Sequence, residues 1–96
     1  MSKPEPKGLK VKIDEDTAQG IYANLAMVAH GEAEFVVDFM FLQPGRNEAK
    51  VGSRVILSPR QAKRLLGALS DNIGRYEQRF GTIPTMSAAG PDDIVH

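Results

Sequence analysis

The chain has 96 residues, 42% apolar and 25% charged, the proportions of one ordinary globular domain. Twelve basic residues balance twelve acidic ones, so no net field gathers nucleic acid, membrane lipid or an acidic substrate. There is no cysteine, which excludes disulfides, thiolate metal sites and cysteine nucleophiles.

Residues 1–8 are polar with two prolines and read as a disordered lead-in without a targeting signal, so a cytoplasmic setting is expected. LKVKI (Leu9 to Ile13) alternates apolar and basic residues, the pattern of a half-buried strand. DEDT (Asp14 to Thr17) breaks that pattern as a polar turn. Ile21–Ala29 contains good helix formers, but the residues after it favour a strand. His30-Gly31-Glu32-Ala33 puts glycine at the first central place of a two-residue II′ turn, and EFVVDFMFL then runs rich in β-branched and aromatic residues. That turn sets Val28 opposite Phe35, Ala26 opposite Val37 and Asn24 opposite Phe39.

Gln43-Pro44-Gly45-Arg46-Asn47-Glu48 is a second turn cluster. A hairpin centred on Arg46 sets Val36 against Ile56, Met40 against Gly52, and Asp38 against Arg54. Opposite charges facing each other across a ladder resist a one-residue slip, so Asp38 and Arg54 are expected to form a structural ion pair. Alternation then gives two apolar sheet faces. The first carries Tyr22, Ala26, Val28, Phe35, Val37, Phe39, Phe41, Val51, Val55 and Leu57. The second carries Ile21, Ala23, Leu25, Met27, Val36, Met40, Leu42 and Ile56 around the ion pair.

SPRQAKRLLGALSDNIGRYEQRFG has Ser58 as N-cap, Pro59 at N1 and Gln61 at N3. Ala62, Leu65, Leu66, Leu69, Ile73, Tyr76 and Phe80 form one helical stripe, and Gly81 fits the stop. These signals set a helix from about Pro59 to about Phe80. Residues 82–96 have no period and read as a flexible tail, leaving a single domain over 9–81.

One helix covers one face, so the second face is expected to bury itself against another copy, with its eight apolar residues as the oligomer interface. The outer helix face carries Arg60, Lys63 and Arg64, which are possible anion contacts. No aromatic residue interleaves with them, and a solvated face is the preferred reading. Two histidines without a spaced carboxylate make no metal site, and no nucleophile, phosphate-binding or paired-carboxylate motif is present. No catalytic, metal or cofactor-binding residue is therefore expected.

The stretches YAN (Tyr22 to Asn24), EFVVDFMFLQPG (Glu34 to Gly45), SRVILSP (Ser53 to Pro59), AKRLLGAL (Ala62 to Leu69) and YEQRFG (Tyr76 to Gly81) carry a resemblance. Over about residues 9–83 the chain resembles a family of short bacterial and archaeal proteins described only as a domain of unknown function. The resemblance implies no activity, cofactor or site residue. Gly67 and Gly74 depart from it by weakening the helix.

The expected fold is α+β: a four-stranded antiparallel meander, then one long amphipathic helix packed on one sheet face. The expected function is a small non-enzymatic interaction or structural module whose partner is itself, as a homodimer or higher oligomer, or an unidentified protein. The alternatives are nucleic-acid association through the basic helix face, and a chaperone-like holder of extended peptides on the open sheet. No membrane partner is expected.

Overall fold

The computed structural model describes residues 8–85. A single turn of helix, α1 (Glu15–Ala18), precedes three strands, β1 (Leu25–His30), β2 (Phe35–Leu42) and β3 (Ala49–Leu57), and a long helix, α2 (Pro59–Phe80). The strands form one antiparallel sheet in the order β1-β2-β3.

The sheet therefore has three strands and not the expected four. Leu9–Ile13 lies outside it, and no backbone hydrogen bond ties this stretch to the other described residues. Alternation specifies a backbone that can pair, but it supplies no partner. Val11 and Ile13 remain 63% and 65% exposed. The polar stretch after it winds into α1, where the Asp14 carbonyl accepts from the Ala18 N–H at 2.9 Å.

The first strand begins at Leu25 instead of Ile21, because Asn24 ends the approach to the sheet with its side chain. Asn24 Nδ2 donates to the Leu42 carbonyl at 3.0 Å, and the Leu42 N–H donates to Asn24 Oδ1 at 2.8 Å. The side-chain amide thus stands in for a peptide group and extends the ladder by one rung.

The two hairpins differ from their expected registers in different ways. Between β1 and β2, His30 pairs with Phe35 and Val28 with Val37, two residues from the expected pairing. The connection spans Gly31 to Glu34, closed by the Gly31 N–H on the Glu34 carbonyl at 2.9 Å. Gly31 is not at positive φ, which a II′ turn demands. A shift of two preserves side-chain parity, so the face assignments of β1 survive. Between β2 and β3, Val36 pairs with Ile56 and Asp38 with Arg54 as expected, but a bulge lies at Phe39/Met40. Met40 meets Val51 instead of Gly52, and Val51 moves to the second face with it. Gly52 is the extra residue. A Cβ there would stand 3.2 Å from Ile21 Cδ1, so the glycine admits that side chain.

The helix forms over the expected residues. Ser58 Oγ accepts from the Gln61 N–H at 3.1 Å, satisfying one of the open first-turn donors, and Pro59 has none to satisfy. At the far end Gly81 takes φ +100°, a conformation unfavourable for other residues, and the helix stops.

Candidate functional site

A single residue, Ser58, separates β3 from α2, so the chain turns directly from the sheet into the helix. The first turns of α2 lean over the first sheet face without closing on it. Ala62, Leu65, Leu66 and Leu69 make one wall of an open groove of about 510 Å³, with Lys63 at its rim. Ala26, Val28, Val37 and Phe39 make its floor, and Phe35 and Leu57 close the end beside the helix start. The lining is almost wholly apolar.

The expected packing of the helix across the sheet is thus only begun. Ile73, Tyr76 and Phe80 continue the stripe but do not line the groove. They are 39%, 50% and 65% exposed, and Leu65, Leu66 and Leu69 inside the groove are still 45%, 61% and 54% exposed. Twenty-two helical residues extend about 33 Å at 1.5 Å each, against about 20 Å for the six residues of β1 and about 30 Å for the nine of β3. The helix overruns the short edge strand, and along β3 it stands off the sheet and leaves the groove open. At the tip, the Tyr76 and Phe80 rings lie tilted at 44° with centroids 4.9 Å apart, and the Arg79 guanidinium sits 5.4 Å from the Phe80 centroid.

The second face is better covered than the sequence suggests. Met40 is buried at 6% exposure, and Ala23, Leu25 and Val36 are half-buried. Ile21, Met27, Leu42 and Ile56 stay exposed, so the expected interface residues divide evenly between covered and open. Among them Arg54 Nε donates to Asp38 Oδ1 at 2.7 Å, and its second nitrogen donates to Oδ2 at 2.9 Å. This two-pronged contact holds the Asp38 carboxyl below the usual carboxylate range, outweighing the upward push of its partial burial. It raises the Arg54 guanidinium correspondingly.

Arg60, Lys63 and Arg64 are all exposed; Lys63 belongs to the groove rim, while Arg60 and Arg64 lie outside the groove lining. A wider hollow of about 670 Å³ lies beside the β2–β3 turn, where Arg46, Glu48 and Lys50 mix both signs of charge. Among the described residues no three His, Asp or Glu side chains gather as metal ligands, and no helix is long and apolar enough to cross a membrane. Sequence reasoning found every stripe residue but assigned all of them to this chain's own sheet.

Comparison with curated proteins and with solved structures finds no match to this chain. A family model does match, over residues 1–85, and its description names no catalytic activity. The chain belongs to the family described as protein of unknown function DUF3467.

Proposed function

We propose that this protein is a small non-enzymatic interaction module that works as a homodimer, a second copy closing the groove between α2 and the first sheet face. The observation that carries this reading is the unclosed core. Six large stripe residues stand exposed over a groove floor that is only half-buried, with Val28 exposed in it, and Met40 is the one apolar side chain buried among the described residues. Soluble monomers seldom leave a contiguous apolar patch beyond a few hundred Å². Taking about 200 Å² for a fully exposed side chain of this size, the stripe alone presents about 600 Å². With the groove floor it supplies most of the about 800 Å² per partner of a stable specific interface.

The polar outer side of α2 supports the same reading. A helix that were apolar all round would seek a larger core, whereas this one has a single stripe and so needs one further partner surface. Sedimentation equilibrium at micromolar concentration tests the proposal. It should return twice the 10.5 kDa of the chain. A well-folded species at 10.5 kDa throughout would overturn it.

A further inference from the structure

We infer that the occupant of the groove is the C-terminal half of α2 from a second copy, the two α2 helices lying antiparallel with Lys63 of each beside Glu77 of the other. This deepens the homodimer reading and rests on it.

The stripe of α2 is complementary to its own reversal. Six of its seven residues pair symmetrically about position 71: Ala62 with Phe80, Leu66 with Tyr76, Leu69 with Ile73, while Leu65 falls opposite position 77. In an antiparallel pair each large ring therefore meets a smaller side chain. Phe80, the most exposed of the stripe at 65%, falls opposite Ala62, the smallest. A parallel pair would set Phe80 on Phe80 and leave Ala62 facing Ala62 across a gap. The contact is also isologous, as a twofold dimer requires, because each copy gives its helix end and receives the other's.

Charge is complementary close to the same register. At about 100° per residue, Lys63 and Glu77 lie 14 residues apart on one flank of the stripe, within about 40° of each other around the axis. Antiparallel helices bring like flanks together, and the symmetry that pairs the stripe brings Lys63 within two residues, about 3 Å along the axis, of Glu77 of the partner. Lys63 already stands at the groove rim. Glu77 is half-buried, and its Oε2 accepts the Ile83 N–H at 2.8 Å, which holds the carboxylate in place and leaves Oε1 for a second donor. Asp71, at the centre of symmetry, points directly away from the stripe, so the twofold brings no like charges together there.

Because the chain has no cysteine, introduced thiols report without interference. The experiment uses the full chain with Lys63→Cys, Glu77→Cys, or both, treated with a short bis-maleimide and read on a denaturing gel. Within one helix the two positions are about 21 Å apart, beyond such a reagent. The double variant should give a covalent dimer, and each single variant should not. A second arm uses Lys63→Glu, which should weaken association several-fold, and Lys63→Glu with Glu77→Lys, which should restore it. A protein that sediments as a dimer but links through Lys63→Cys alone, or not at all, overturns the antiparallel register and leaves the homodimer standing. A chain that stays monomeric, or that takes up an extended peptide in the groove instead, overturns both.

Discussion

Strand β2 and helix α2 carry comparable apolar content but end in different surroundings. From Phe35 to Met40 every residue of β2 is half-buried or buried, because β1 and β3 flank it as sequence neighbours through short turns. The stripe residues Leu65, Leu66, Leu69, Ile73, Tyr76 and Phe80 all stay 39–65% exposed. The difference teaches that a hydrophobic pattern says which side chains leave water, and only the connections say whose surface receives them. The strand is flanked on both sides within its own chain; the helix, on the proposed reading, is covered by another.

Two truncations set that comparison against measurement. Met40→Ala removes the one side chain buried among the described residues and should cost about 2–5 kcal/mol, read as a lower denaturation midpoint. Leu66→Ala is the sharper case. If the groove stayed open, truncating a residue 61% exposed would change stability by less than about 0.5 kcal/mol. If a second copy closes it, the loss should reach about 2 kcal/mol or more at micromolar concentration.

Smaller effects test the local devices. Ser58→Ala removes the acceptor of the Gln61 N–H and should cost about 0.5–2 kcal/mol; an unmoved midpoint would mean the cap is redundant. Asp38→Asn and Arg54→Gln should each destabilise, with the double variant losing less than their sum; strict additivity would show that the pair contributes nothing to register. Because the folded Asp38 carboxyl sits below its ordinary value, the pair's contribution is full above the unfolded value and is lost as pH falls through the folded one. Acid titration of the wild type and Asp38→Asn should therefore converge at low pH and separate on raising it.

How much of this was legible in the sequence depends on how local each cause is. The bounds of α2 were readable because Ser58, Pro59 and Gly81 mark its ends by local chemistry. The β2–β3 register was readable because Asp38 and Arg54 occupy apolar runs where only a facing partner makes sense of them. The bulge was not: its extra residue, Gly52, meets Ile21 from a distant segment, and no local pattern marks it. The β1–β2 register slipped by two because Gly31 suggested a tight turn that its backbone does not adopt. Leu9–Ile13 read as a fourth strand because alternation is visible in a sequence and whether the segment docks on a sheet edge is not. The groove was missed because an apolar stripe shows which side of the helix faces the sheet and not how closely the helix lies on it.

The central claim is that the core of this fold is completed by a second copy, and its most direct test is thermal or urea unfolding of the full chain across a hundredfold range of protein concentration. When folding and association are coupled, the midpoint depends on protomer concentration by mass action. The account predicts a midpoint that rises steadily with concentration. A midpoint that does not move, for a chain that sediments at 10.5 kDa, would contradict it.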